Sequence, residues 1–169
     1  MRLGLLGQVR KRWVEVGYKL VQPVQVEYKW SYLLLAVDGV QGKLYWTWVA
    51  NMKAVSLVAG LTTLKEAGVE AVVWDGARSH QAAMMAEVEV IKVRQPAYSP
   101  ELNPAERVFL EVRRAVEGQV YESVAAKQQA VDEMLTGLNS NPAQVQTLAG
   151  WDWIVASRGG EQQYAASPN

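Results

Sequence analysis

Tyr98-Ser-Pro-Glu-Leu-Asn-Pro-Ala-Glu-Arg-Val-Phe109 is the stretch that decides the fold, together with Val72-Val-Trp-Asp-Gly-Ala-Arg-Ser-His80 upstream. In the first segment, a loop with two prolines leads into a helix and sets Glu106 in the first turn of that helix. The second segment is an apolar run typical of a buried strand, and it ends at Asp75. A carboxylate at a strand end and another on a following helix can meet at the edge of a sheet and hold a divalent metal.

These two segments resemble the regions around the second and third acidic residues of the DDE transposases, in particular the mariner-like and related bacterial insertion-sequence enzymes. In that family a strand ends in Asp-Asn-Ala-x-x-His, and a later Tyr-Ser-Pro-x-Leu-Asn-Pro-x-Glu leads into a helix. The resemblance covers roughly Leu3 to Leu138. It implies metal-dependent cleavage and strand transfer of DNA, with Asp75 and Glu106 as the catalytic and metal-binding carboxylates and Mg²⁺ or Mn²⁺ as cofactor. One departure is Gly76, which stands where the family has Asn.

Composition independently favours a metal held by oxygen ligands. The chain has no Cys, and His80 is its single histidine, which excludes thiolate sites and sites that need two histidines. Carboxylates and water would hold any bound ion, and these ligands suit Mg²⁺ or Mn²⁺. The sequence contains no Gly-x-Ser-x-Gly segment and no P-loop, so serine hydrolysis and nucleotide-phosphate chemistry have no support.

Length and charge indicate one domain rather than a free-standing DNA binder. We expect 169 residues, half of them apolar, to form a single domain over residues 1–156, followed by a disordered tail over residues 157–169. The formal net charge of zero argues against tight autonomous binding of DNA. No apolar run approaches the roughly 20 residues of a membrane-spanning helix, and the start lacks a signal peptide. A cytoplasmic protein without membrane association is therefore expected.

The order of the predicted elements favours an α/β fold of the ribonuclease-H-like type, a mixed sheet flanked by helices. Met1 to about Leu20 is interpreted as a short strand and a loop, and the signals weaken beyond Asn139, where Trp151, Trp153 and Ile154 suggest a segment packed on the body. The predicted elements are strands at Trp30–Val37, Leu44–Ala50, Val69–Asp75 and Val88–Val93, and helices at Ala54–Ala67, Ser79–Glu87, Pro104 to about Glu117, and Ser123–Leu138.

Each candidate site residue also has a structural interpretation. Asp75 could be a turn former, and Glu106 could be an acid placed to interact with the helix macrodipole. Glu101 is a competing carboxylate in the loop, and Asn103 is interpreted as a cap or turn residue of the following helix. His80 could lie near the metal site or a phosphate, or could be a hydrogen-bonded structural histidine.

Arginines on the predicted helix are candidates for contacts with DNA phosphates. Arg107 and Arg114 are a heptad apart, and Arg113 is a heptad after Glu106, so both pairs lie along faces of one helix. With His80, these arginines form the predicted DNA-binding set. The alternative is a solvated face on which the arginines pair with the acidic residues of the same helix, Glu111 and Glu117.

Two-metal phosphodiester chemistry requires a third acidic residue that bridges the ions. By resemblance, this residue would fall at or just before Met1, ahead of Arg2-Leu-Gly-Leu-Leu and Arg10-Lys-Arg-Trp13. Asp38 lies upstream of Asp75, but it adjoins Gly39 in a predicted hairpin turn, so we expect it to have a turn role.

We therefore expect an amino-terminally truncated catalytic domain with an incomplete first strand, which binds at most one ion weakly and does not cleave DNA at a useful rate. Two alternatives stay open: a non-catalytic remnant that binds DNA or a transposase partner, and a generic α/β domain. An exposed strand edge would also permit a homodimer.

Overall fold

The computed structural model describes residues 1–7, 13–74, 83–96 and 99–156. Two short 3-10 helices, Ala83–Glu87 and Pro100–Leu102, accompany the longer elements. In chain order the longer elements are β1 Arg2–Gly4, β2 Trp30–Asp38, β3 Lys43–Val49, α1 Ala54–Glu66, β4 Ala71–Trp74, β5 Ile91–Arg94, α2 Ala105–Val116, α3 Val124–Asn139 and α4 Pro142–Ala149.

The described strands form two small sheets. In the antiparallel sheet, β2 is central between β1 and β3, and Leu3 lies opposite Ser31 in the register. In the parallel sheet, β4 pairs with β5, and Trp74 lies opposite Arg94. The chain is thus a mixed α/β protein. The predicted hairpin and both later strands are present, with boundaries that differ from the predicted ones.

Helices cover both faces of the antiparallel sheet. Leu33 and Leu35 pack with α2, α3 and α4, whereas Leu34 packs with α1, because successive side chains of a strand point to opposite faces. The larger core joins the sheet to the three later helices through Leu33, Leu44, Val108, Val112, Val116, Val131, Leu135 and Val145. The smaller core lies between α1 and the segment that leads into β5, through Leu57, Leu61, Met85, Val88 and Val90.

α1 forms where predicted, and its apolar face packs into the smaller core. Its buried side chains are Leu57, Leu61 and Leu64, whereas Val55 is exposed. The helix ends before Gly68, whose φ of 104° lies in the left-handed region that glycine tolerates. The face is set by Gly60, which lets the helix approach β2 and β3 closely.

One predicted strand begins later than expected because side chains before it are buried in the core. The strand predicted to begin at Val88 begins at Ile91, since Val88 and Val90 are buried under α1 and the Val90 N–H donates to the Val88 carbonyl at 2.8 Å. The helix predicted over Ser79–Glu87 is a 3-10 helix over Ala83–Glu87, and its first residues lie outside the described ranges.

α4 was not predicted, although its start carries a recognisable signal. The Asn141 side chain accepts a hydrogen bond from the Gln144 N–H at 3.3 Å, and Pro142 occupies the first turn. Both are residues that favour helix starts. Beyond α4, Trp151 and Ile154 are half-buried and Trp153 is exposed, so the predicted packed segment is only partly buried. The predicted disordered tail lies outside the described residues.

The segment over residues 13–28, between β1 and β2, forms no helix or strand. It closes at its base, where the Gly7 N–H donates to the Gln25 carbonyl at 2.7 Å and the Leu5 N–H donates to the Lys29 carbonyl at 3.0 Å. Residues 13–28 are here called the arm. The arm exposes a series of large apolar side chains, namely Trp13, Val14, Val16, Tyr18, Leu20, Val21, Val24, Val26 and Tyr28. No helix in the described ranges is long and apolar enough to cross a membrane.

Candidate metal and nucleic-acid site

Asn103 stabilises the start of α2 through two hydrogen bonds. Its side-chain oxygen accepts a hydrogen bond from the Ala105 N–H at 3.0 Å, and its carbonyl accepts one from the Glu106 N–H at 3.1 Å. These bonds satisfy backbone donors that a helix start otherwise leaves unpaired. The predicted turn role of Asn103 is confirmed, and Glu106 is left exposed in the first turn of α2.

The carboxyl end of β4 is held by the strand beside it. Trp74 pairs with Arg94, and the Gln95 N–H donates to the Trp74 carbonyl at 2.8 Å. Asp75 follows Trp74 directly in the chain, but Asp75 and His80 lie outside the described residues. The meeting of the Asp75 and Glu106 carboxylates therefore stays a prediction. Among the side chains that the structure describes, no group of three His, Cys, Asp or Glu residues could hold a metal.

Gln95 connects the parallel sheet to the loop before α2. It is buried, and its side-chain nitrogen donates to the carbonyl of Ser99. Because Ser99 directly precedes the 3-10 helix Pro100–Leu102, this bond helps to set where α2 begins. Sequence analysis missed this role, since a glutamine before Pro96 carries no periodic signal.

Asp38 has the turn role that the sequence predicts. Its carboxylate oxygen accepts hydrogen bonds from the Val40 N–H at 2.9 Å and from the Gln41 N–H at 2.8 Å. These bonds shape the turn between β2 and β3.

The candidate arginines are distributed along α2. Arg107 follows Glu106 in the first turn, and its guanidinium lies 5.8 Å from the centre of the Trp151 ring. Arg113 and Arg114 lie in the last turn, about 10 Å further along the helix axis at a rise of about 1.5 Å per residue. Arg114 forms an exposed salt bridge with Glu111, as the solvated-face interpretation predicts for that residue.

Arg113 lines a cleft at the opposite end of α2 from Glu106. The cleft has a volume of about 320 Å³ and lies between β1, the end of α2 and the start of α3. It is lined by Met1, Arg2, Leu3, Gly4, Leu6, Gly7, Trp30, Arg113, Glu117, Gly118, Gln119 and Lys127. We call it the β1–α3 cleft.

Lys127 is the most unusual residue of the β1–α3 cleft, because it is 9% exposed. Its ammonium donates to the Gly4 carbonyl at 2.8 Å and lies 5.4 Å from the centre of the Tyr121 ring. Burial lowers the pKa of Lys127, and the charge of Glu117 offsets part of that effect. Sequence analysis missed Lys127, although it precedes Val131 by four residues and so falls on the buried stripe of α3.

Among solved structures, the chain is similar to one described as the crystal structure of the Mos1 strand transfer complex. The sequence identity is 17% and the TM-score is 0.60, and the match covers 89% of this chain and 52% of that chain. The chain thus spans about half the length of the chain that it matches. No protein-family model and no curated protein matches the sequence. At this identity the likeness shows the fold alone, and that fold is transposase-like.

Proposed function

We propose that this chain is the catalytic domain, or part of one, of a DDE-type DNA transposase. The observation that carries the proposal is the arrangement of its two motifs in a transposase-like fold. β4 ends directly before Asp75, and an Asn-Pro turn starts α2 with Glu106 exposed in its first turn. In this proposal both carboxylates face the same DNA phosphodiester.

We assign the two sheets to a ribonuclease-H-like arrangement. In that fold the first strand is central, and helices flank the sheet on both sides. Here β1 is an outer strand of the antiparallel sheet, and β4 and β5 form a parallel pair. β1 pairs with Trp30, Ser31 and Tyr32, while β2 continues to Asp38.

Asp75 and Glu106 would hold the metal. Their oxygen donors suit Mg²⁺ or Mn²⁺, and a bound ion would stabilise negative charge that develops on the phosphate. Asp38, which could have supplied another carboxylate, is bonded into its own turn. Two carboxylates are fewer than a two-ion site needs, so this 169-residue polypeptide by itself should bind one ion weakly and should not cleave DNA at a useful rate.

Calorimetric titration with Mn²⁺ tests the metal site, with Glu106→Gln and Asp75→Ala as site variants and Glu101→Gln as matched control. Glu101 is exposed and precedes Glu106 by five residues, so its substitution removes the same charge from the neighbouring loop. We expect weak binding of one ion, lost in both site variants and kept in the control. Tight binding of two ions, or binding that survives Glu106→Gln, would contradict the proposal.

Incubation with supercoiled plasmid and Mn²⁺ tests the chemistry. We expect weak, salt-sensitive DNA binding through the predicted basic set, His80, Arg107, Arg113 and Arg114, without nicking above the level of Asp75→Ala. Nicking by the wild-type chain that disappears in Asp75→Ala would show that the polypeptide completes its catalytic site in another way.

A second candidate function is a non-catalytic protein that binds a transposase partner or a second copy of itself. The observation that favours it is the arm, because a contiguous series of exposed apolar side chains marks interaction surfaces. Analytical ultracentrifugation of the wild-type chain and of Val16→Ser tests the homodimer. A concentration-dependent dimer that the substitution weakens would support this function, and a monomer at all concentrations would oppose the homodimer.

A further inference from the structure

We propose that the β1–α3 cleft binds a phosphate group of the DNA backbone through Arg2, Arg113 and Lys127. The identity of the ligand as DNA rests on the proposed function, whereas the case for an anion site rests on the cleft itself. The site lies outside the predicted metal site and includes two residues, Arg2 and Lys127, that the predicted DNA-binding set lacks.

The charges that line the cleft favour an anion. Three cationic side chains, those of Arg2, Arg113 and Lys127, face one carboxylate, that of Glu117. Burying an ammonium is costly unless it is paired and hydrogen-bonded. Lys127 is nine-tenths buried, and its bond to the Gly4 carbonyl uses one of its three N–H groups. A phosphate oxygen would add a charge-assisted hydrogen bond of the strong kind.

The geometry suits a phosphate that approaches from solvent. The Arg2 guanidinium lies 4.2 Å from the centre of the Trp30 ring, and this contact stabilises its position beside another residue of the lining. Arg113 is exposed and reaches the cleft from the last turn of α2, and its planar fork can donate two parallel hydrogen bonds to phosphate oxygens. Gly118 in the lining carries no side chain, so a ligand can approach the backbone there, whereas the Trp30 ring fills the space over Gly4.

The position of the cleft fits a backbone that passes Glu106. Arg113 lies about 10 Å from Glu106 along the α2 axis. Successive phosphates of one DNA strand are about 3.4 Å apart along the duplex axis, so that distance corresponds to about three nucleotides. A strand positioned at Glu106 and running along α2 would therefore bring another phosphate to the β1–α3 cleft.

Fluorescence anisotropy with a short DNA duplex at several salt concentrations tests the site. The variants are Arg113→Gln and Arg2→Gln, on two different elements, so that one remains informative if the other fails to fold. The control is Lys65→Gln, which removes a positive charge from α1, where Lys65 forms an exposed ion pair with Glu89 at 2.8 Å. We expect each cleft variant to weaken binding and to lower the slope of log K against log salt by about 1, and the control to leave the slope unchanged.

Inorganic phosphate provides a second probe that does not depend on DNA. We expect phosphate to raise the melting temperature of the wild-type chain above that in chloride of equal ionic strength, and Arg113→Gln to abolish the difference. DNA binding with the same salt slope in all variants would overturn the inference and leave the proposed function intact. Absence of DNA binding by the wild-type chain would contradict the proposed function, and the phosphate titration would then decide by itself whether the cleft is an anion site.

Discussion

The Gln25 side chain forms two hydrogen bonds with the backbone of Tyr121, 96 residues away in the sequence. Its nitrogen donates to the Tyr121 carbonyl at 2.9 Å, and its oxygen accepts from the Tyr121 N–H at 3.1 Å. Because Gln25 lies at the base of the arm and Tyr121 lies between α2 and α3, the pair joins the arm to the helices. One side-chain amide thus satisfies both backbone polar groups of the partly buried Tyr121.

Gln25→Ala should lower the free energy of unfolding by about 1–3 kcal/mol, since it leaves a partly buried donor and acceptor unpaired. Gln25→Glu should cost at least as much at neutral pH, because it places a carboxylate oxygen against the Tyr121 carbonyl. Urea denaturation measures both. Gln129→Ala is the control, because Gln129 donates a hydrogen bond to Glu133 on the exposed face of α3. This substitution should change the free energy of unfolding by less than about 0.5 kcal/mol. Equal effects of Gln25→Ala and Gln129→Ala would contradict this role.

Asp132 on α3 forms hydrogen bonds with the side chains of two tryptophans of β3. Its carboxylate accepts from the indole N–H groups of Trp46 and Trp48, each at 2.9 Å. Asp132→Ala should lower the free energy of unfolding by about 1–3 kcal/mol, because both half-buried indole donors lose a charged partner. Denaturation followed by tryptophan fluorescence measures the change. Glu133→Ala at the next, exposed position should change stability by less than about 0.5 kcal/mol, and a comparable loss there would argue against the role of the indole bonds.

Gly60 and Gly137 should respond oppositely to the same substitution. A Cβ at Gly60 would lie 2.7 Å from Val49 Cγ1 and 2.9 Å from Leu34 Cδ2. Gly60→Ala should therefore destabilise the protein by about 1–3 kcal/mol through overpacking, despite the higher helix propensity of alanine. At Gly137, in α3, no atom beyond its chain neighbours and its own helix backbone lies within 4 Å of the added Cβ, so Gly137→Ala should stabilise by about 0.5–1 kcal/mol. Thermal unfolding of both variants checks the pair, and a stabilising Gly60→Ala would show that α1 moves away from the sheet at little cost.

Elements whose signals are local could be predicted from the sequence. The apolar spacing of α2 predicts that Val108, Phe109, Val112 and Val116 face the core; the three valines are buried, and Phe109 is partly buried against the same core. The helix predicted to begin at Ser123 does start there, and the Ser123 side chain accepts a hydrogen bond from the Ala126 N–H at 3.0 Å. Such patterns depend on neighbours within one or two turns, which is why they can be recognised without the fold.

Features that depend on distant partners could not be predicted. Lys127 is polar, so its burial depends on Gly4, which is 123 residues away and offers a carbonyl to its ammonium. The exposure of the arm's apolar side chains also depends on distant residues, because their spacing does not show whether another element covers them. For the candidate site, the structure confirms the helix start that presents Glu106, while the position of Asp75 depends on long-range packing and stays a prediction.

Because the Lys127 ammonium is buried, the free energy of unfolding should change with pH in the alkaline range. Burial lowers the pKa of Lys127 below its ordinary value of 10.5, and the Glu117 carboxylate offsets part of the effect. Between the folded-state pKa and about 10.5, the unfolded chain therefore binds more protons than the folded chain. The free energy of unfolding then rises with pH across that window.

Lys127→Met removes this titration, so the stability of the chain with Lys127 should rise relative to Lys127→Met as pH approaches 10.5 and should differ by a constant amount below the window. Both chains should carry Tyr121→Phe. Burial raises the pKa of Tyr121, whose ring contacts the ammonium, and ionisation of the phenol would lower stability above its ordinary value of 10.0. Urea denaturation from neutral pH to about pH 11 measures the difference. A difference in the free energy of unfolding that stays constant over this range would show that Lys127 keeps its ordinary pKa in the folded chain.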